Sequence, residues 1–256
     1  MIIFLSNDDG IQAPLLPITV EALSKIGDVY VCVPEKEFSS GGHGLSPHNP
    51  LWLREVQIPH AARAWTLSGT PADCVKFAFA KLLDVRPDLV VGGINPSPNM
   101  ATEVLYSGTV AAAIEGCLHG IPSIAMSQNS SKCDPREAAK CLIDIIARWQ
   151  RNGFQPTTTL SVNYPELPFG EIKGYAFARQ GWRWYNDCFL EMQDPKGRIF
   201  YWMHGNNLSD RKEEGTDLAY MERGYVPITP LSFDMTDYAM IDQLKKTTIF
   251  DEQRKA

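Results

Sequence analysis

With 256 residues, 44% of them hydrophobic and 21% charged, the chain has the size and composition of a folded unit with a sizeable core, which excludes disordered and fibrous classes. A formal net charge of −6, with basic pairs but no longer basic run, excludes a long nucleic-acid partner, which needs concentrated Lys and Arg. No apolar run reaches the length of a membrane span, and the start Met1-Ile2-Ile3-Phe4-Leu5 lacks the basic region of a secretory leader. The six cysteines, Cys32, Cys74, Cys117, Cys133, Cys141 and Cys188, form no CxxC pair. They read as reduced, mostly buried thiols, and a cytoplasmic location is expected.

In chain order, Ile2–Leu5 predicts a strand, Leu16, Val20 and Leu23 a helix face, and Val29–Val33 a second strand. Thr70-Pro71-Ala72-Asp73 is a capping box with proline at the first helical position, followed by a stripe of Val75, Phe79 and Leu82. Leu89–Ile94 is a buried strand. Thr109–Leu118 is a helix stopped by Gly120 and Pro122, Ser123–Met126 a strand, and Arg136–Trp149 a helix facing inward through Leu142, Ile145 and Trp149. Strands alternating with helices imply an α/β fold with a doubly wound, mostly parallel sheet. After about residue 165 the texture changes. Ile172–Phe177, Cys188–Met192 and Ile199–Met203 are strand-like, and a last helix near Thr236 should turn Tyr238, Ile241 and Leu244 inward. The expected division is a core of residues 1–165 and a β-hairpin extension with a terminal helix over 166–256.

Chemistry concentrates where strands end. Asp8 and Asp9 follow the first strand, and adjacent carboxylates repel unless a cation neutralises them; hard oxygen donors suit Mg²⁺, Mn²⁺ or Ca²⁺. Taken alone, Asp8-Asp9-Gly10 also fits a plain strand-ending turn. Ser39, in the loop Phe38–Gly44, offers a hydroxyl oxygen, and Asn95, in Gly92–Asn99, a carbonyl oxygen. Ser107-Gly108-Thr109 opens a helix, whose free amides and hydroxyls suit a phosphate. By itself, Phe38–Gly44 reads more simply as a flexible surface loop, Gly92–Asn99 fits a Pro-rich turn equally well, and Ser107–Thr109 also fits the start of a capped, Ala-rich packing helix. Of His43 and His48, either could act as an acid or base, although a loop histidine is more often only solvated. Cys117 and His119 do not share a helix face. The aromatics Trp182, Trp184, Tyr185, Phe200, Tyr201 and Trp202 lack interleaved basic residues and fit a subunit contact better than base stacking.

The run Ile3–Gly10 with Ala13-Pro14 resembles the start of the SurE (stationary-phase survival) nucleotidases. So do Ser39, Gly69–Val75, Gly93–Asn95, Asn99, Tyr106–Ala113, Gly215–Asp217 and Gly224–Leu231. The resemblance implies a Rossmann-like core, one divalent cation per subunit, and hydrolysis of nucleoside 5′- and 3′-monophosphates. It places the metal ligands on Asp8, Asp9, Ser39 and Asn95, and further implies a homodimer or homotetramer. Asn99, Ser107, Gly108 and Thr109 are expected at the phosphate, with Asp8, Asp9 and Asn99 in the catalytic set. Departures stand at Leu15, where the family usually has glycine, at Phe38 and Ser40 in a usual Arg-Ser-Gly, and at Pro96 and Ser97 after Asn95. The alternatives are a phosphatase that forms an aspartyl-phosphate, which typically uses Asp-x-Asp rather than adjacent carboxylates, a calcium-dependent nucleoside hydrolase, and a non-catalytic nucleotide-binding protein.

Overall fold

The computed structural model describes residues 1–129, 134–155 and 158–247, without the side chains of 206–208. The chain runs β1 (Ile2–Ser6), α1 (Leu16–Ser24), β2 (Asp28–Pro34), β3 (Leu53–Val56), β4 (Arg63–Leu67), α2 (Pro71–Phe77) and β5 (Leu89–Asn95). It continues through α3 (Gly108–Leu118), β6 (Ser123–Gln128), α4 (Pro135–Arg151), β7 (Thr159–Tyr164) and β8 (Tyr175–Phe177). It ends with β9 (Trp182–Gln193), β10 (Ile199–Arg211), α5 (Asp217–Glu222), β11 (Val226–Leu231) and α6 (Tyr238–Leu244).

Nine strands make one sheet in the order β3-β4-β2-β1-β5-β6-β7-β11-β8, and β9 and β10 form a separate antiparallel hairpin. From β4 to β7 the neighbours are parallel; β3 and β11 pair antiparallel with β4 and β7. The chain first builds outwards from β1 through β2 and β4, then returns to add β5 on the other edge of β1. The crevice beyond the ends of β1 and β5 is therefore the topological switch point, where sheets of this type receive ligands.

Alternation along β1 decides which layer each residue feeds. Ile3 and Leu5 join α1 (Leu16, Val20, Leu23) and α4 (Ala138, Leu142, Ile145) in one core. Phe4 faces the other layer, with Cys74 and Val75 of α2 and Ala112 of α3. The capping box is present as read: Thr70 Oγ1 accepts from the Asp73 amide at 3.1 Å, and Asp73 Oδ2 accepts from the Thr70 amide at 2.9 Å.

Several expectations are corrected. Strands β3, β4, β7 and β11 have no counterpart in the sequence reading. β7 is wholly buried yet carries Ser161 and Asn163, and β11 is interrupted by Pro227 and Pro230, so neither shows a clean apolar run. The strand expected over 172–177 begins only at Tyr175, after Gly174 at φ 124°. The main sheet extends beyond residue 165 through β8 and β11. Tyr238, Ile241 and Leu244 do not face inward: they are 63%, 36% and 40% exposed, because α6 meets no core among the described residues to bury them. Cys32, Cys74, Cys117 and Cys141 are buried, Cys188 is exposed on the hairpin, and Cys133 lies outside the described residues. No described helix is long and apolar enough to cross a membrane.

Candidate active site

β1 delivers its chain to the switch point through a turn closed by Asn7, which accepts from the Gly10 amide at 3.0 Å and donates to the Gly10 carbonyl at 3.1 Å. Gly10 sits at φ 78°, and a Cβ there would lie 2.9 Å from the backbone of Pro34 and Lys36, so glycine is required. Asp8 and Asp9 occupy this turn. Asp8 is buried and held from both sides: Thr109 donates its hydroxyl to Oδ1 at 2.6 Å and its amide to Oδ2 at 3.0 Å. Burial pushes the Asp8 carboxyl up, against the opposing bonds from Thr109 and Gly108. Asp9 has no such support. Its Oδ2 is buried without a partner among the described residues, as is the hydroxyl of Ser6, three residues before it. Burial first, then the charges of Asp8 and Glu37, push Asp9 up to about 6.

Glu37, which sequence reasoning missed, also accepts from the Ser39 hydroxyl at 2.5 Å, so Ser39 is linked to the aspartate pair through it. The loop carrying Ser39 is exposed but anchored. Its Phe38 amide bonds the Asp8 carbonyl at 2.8 Å and its Gly42 amide the Tyr106 carbonyl at 2.9 Å. Thr70 donates to the Gly44 carbonyl at 2.7 Å, and His43 Nε2 lies 2.8 Å from Glu115 Oε2 on α3. Burial of Glu115 acts to raise its pKa, but the bonds from His43 and Lys76 outweigh it and hold the carboxyl below its ordinary value. His43 is thus a tether; His48 stays on the exposed loop. His119 packs edge-on against Phe79, with ring centroids 4.9 Å apart.

On the other side of the crevice, strand register aligns polar residues at the carboxyl edge: Asn95 opposite Ser127, and Ser127 opposite Asn163. Asn95 turns its amide donor to the Ser97 carbonyl at 2.7 Å. Asn99 is buried in a network that includes two further residues the sequence reading missed. It donates to Ser127 Oγ at 2.8 Å, while Asn163 grips its backbone on both sides at 2.8 and 3.1 Å. A buried strand ending in Ser or Asn is the only sequence signal that could have found Ser127 and Asn163. Ser107 caps α3, accepting from the Val110 amide at 3.1 Å. A Cβ on Gly108 would stand 2.7 Å from the Asp8 Cβ, so the start of α3 closes directly on Asp8. Thr109, expected at the phosphate, gives both its donors to Asp8. Among the described residues no three His, Cys, Asp or Glu side chains converge as a metal cluster. The oxygen set read from sequence has only two carboxylates, with a hydroxyl and an amide completing it.

Comparison with known proteins decides the family. The family model described as "Survival protein SurE" matches residues 3–187, from β1 into the hairpin. The chain belongs to the SurE family. It is 42% identical over 247 residues to a protein of Petrotoga mobilis named 5′-nucleotidase SurE, an alignment covering 96% of this chain and 98% of that one. It is 40% identical over 249 residues to the 5′-nucleotidase SurE of Syntrophomonas wolfei, covering 96% and 94% of the two chains. The crystal structure of the SurE protein from Aquifex aeolicus superimposes with a TM-score of 0.80 at 38% identity, over 96% of this chain and 99% of that one. The SurE resemblance read from the motifs therefore holds, as does the mostly parallel α/β architecture.

Proposed function

We propose that this SurE protein is a metal-dependent phosphomonoesterase that hydrolyses nucleoside 5′-monophosphates, and 3′-monophosphates as well, to nucleoside and phosphate. Its relatives at 42% and 40% identity carry the name 5′-nucleotidase. The observation that carries the reading is the buried, partnerless Oδ2 of Asp9 beside Asp8 at the switch point. A buried carboxylate oxygen without a donor is costly, and a cation removes that cost. Asp8, Asp9, Ser39 and Asn95 would hold Mg²⁺ or Mn²⁺, with Ca²⁺ accepted by the same hard oxygens. Such an ion, when bound, polarises the phosphoryl oxygens and acidifies an attacking water.

The chain's own groups supply the rest. Asp8 is immobilised by Thr109, so it acts from one fixed orientation and is poorly placed to serve as a phosphorylated nucleophile. Asp9, which lacks the bonds that fix Asp8, is the carboxylate left to orient the attacking water and take its proton. Asn99 and Ser107 hold phosphate oxygens, and Gly108 leaves the helix start bare of a side chain. Water oxygen forms the new P–O bond, the ester P–O bond breaks, and the nucleoside oxygen leaves with a proton. The exposed aromatic hairpin belongs to the same reading, which makes the protein a homodimer or homotetramer.

One assay tests this: release of phosphate from nucleoside 5′- and 3′-monophosphates, with Mn²⁺ or Mg²⁺ and after chelation. Phosphate should appear only with the metal, and Asp8→Asn or Asp9→Asn should lower the rate by orders of magnitude in a folded protein. Free base instead of phosphate would make it a nucleoside hydrolase. Binding without release would make it a non-catalytic nucleotide-binding protein. Undiminished hydrolysis after chelation would refute the metal role.

A further inference from the structure

The loop between Asn99 and Ser107 is gripped by a part of the chain far from it in sequence. Its pivot is Ala101, fully buried and held at φ 52°, a left-handed conformation that an alanine keeps only when its surroundings impose it. Both polar groups of this residue are taken. The Ala101 amide donates to Asp217 Oδ2 at 2.8 Å, and its carbonyl accepts from Gln180 Nε2 at 2.7 Å. Asp217 is itself buried, at the start of α5. Its Oδ1 accepts the amides of Gly181 at 2.9 Å and Leu218 at 2.8 Å, which ties the entrance of the hairpin to α5.

The next two residues are fastened to the same place. Thr102 donates to the Arg183 carbonyl at 2.6 Å. Glu103 accepts from Arg183 Nη1 at 2.8 Å and from the Tyr185 hydroxyl, while Arg183 also forks onto Asp210 of the facing strand at 2.8 and 2.9 Å. Met100 and Ala101 pack with Leu218 and Met221 of α5. Three consecutive residues, 101–103, are therefore pinned to the base of the hairpin. Asn99 stands two residues before them, and Ser107 four after.

We propose that Asp217 and Gln180 are positioning residues for phosphate binding: by fixing Ala101 they set the placement of Asn99 and Ser107, so the seating of the hairpin base controls the site's affinity for phosphate. This rests on the phosphate-binding role given above to Asn99 and Ser107. Neither Asp217 nor Gln180 is among the bonded partners of those two residues, so their influence passes through the backbone of the loop.

The test is calorimetric titration of the full chain with inorganic phosphate in the presence of Mn²⁺, and separately with Mn²⁺ alone. Asp217→Asn is isosteric but sets an NH₂ group against an amide that the carboxylate now accepts. Gln180→Glu sets an oxygen against the Ala101 carbonyl. Each should weaken phosphate binding, Asp217→Asn by about tenfold, the scale of one lost hydrogen bond to a charged group. Affinity for Mn²⁺ should stay within about twofold, because Asp8, Ser39 and Asn95 make their bonds to residues other than Asp217 and Gln180. Unchanged phosphate affinity in folded variants overturns the proposal, as does an equal loss of phosphate and Mn²⁺, which would mean general loosening. Should Asp217→Asn fail to fold, Gln180→Glu, at an exposed residue, decides alone. Wild-type protein that binds Mn²⁺ but no phosphate would instead refute the phosphate site itself, and the positioning roles with it.

Discussion

At Asp9, burial and the charges of Asp8 and Glu37 act in the same direction, and the consequence is a stability that depends on pH. The ordinary carboxylate value is 3.8 and the folded value about 6. Between the two, the folded state of the metal-free protein keeps a proton that the unfolded chain has released. The contribution of this group to stability is thus complete below about 4 and is lost as pH rises through 6. Asp9→Asn should raise the melting temperature of metal-free protein at pH 7.5, give little change at pH 4, and remove the stabilisation conferred by Mn²⁺. A melting temperature equally shifted at both pH values would contradict this. Gly108→Val is expected to lower kcat as well as raise KM, because its Cβ would meet Asp8 rather than open space. Kinetics like those of the wild type would separate α3 from the site. The residues that the sequence singled out (Asp8, Asp9, Asn99 and Ser107) are polar groups placed where an apolar run stops. Glu37, Ser127 and Asn163 were not legible, since only strand register and loop closure bring them to the same edge. Asp217 lay within a motif matching the family, but nothing in its spacing announced that it would hold a loop more than a hundred residues earlier.

Elements with local signals were read well, and those defined by distant pairing were not. The capping box of α2 and the stripe of α4 are written in neighbouring residues. Strands β4 and β7 exist because parallel partners accept their backbone groups, and no short window of sequence records that pairing. The Ser39 loop shows how an exposed segment becomes ordered without a core of its own: its tether is His43 to Glu115, whose side chain is 3% exposed. His43→Ala should weaken Mn²⁺ affinity several-fold by loosening this loop, while His43→Gln, which can still donate to Glu115, should restore most of it. Calorimetric titration with Mn²⁺ compares the three proteins, and equal affinities would show that the loop is held without the tether.

For the molecule as a whole, the open question is what covers the hairpin and α6. Trp184 and Trp202 are 55% and 62% exposed, with Phe189, Tyr201 and Met203 exposed nearby, and no residue of α6 is buried. Monomers rarely leave so much contiguous apolar surface in water, and a two-fold partner is the commonest remedy. Changing both Trp184 and Trp202 to Ser should move the mass seen by light scattering towards the monomer. A wild-type protein that is monomeric at micromolar concentration would refute this assembly. The aromatic density of the hairpin was legible in sequence; the inward packing expected of α6 was not correct, because amphipathic patterning marks a face to be covered without saying by which chain.

The placement of Asp8, Asn95, Asn99 and Ser107 at or beyond the strand ends, with the apolar packing inside the strands and helices, separates two kinds of evolutionary change. Leu15 is part of the packed core, so a substitution there acts on packing and stability. Phe38 and Pro96 lie on the connections that frame the crevice, where side chains can vary without disturbing the interior layers. A lineage can therefore drift in which phosphate ester it prefers while its thermal tolerance stays where it was, and the reverse drift is equally open to it.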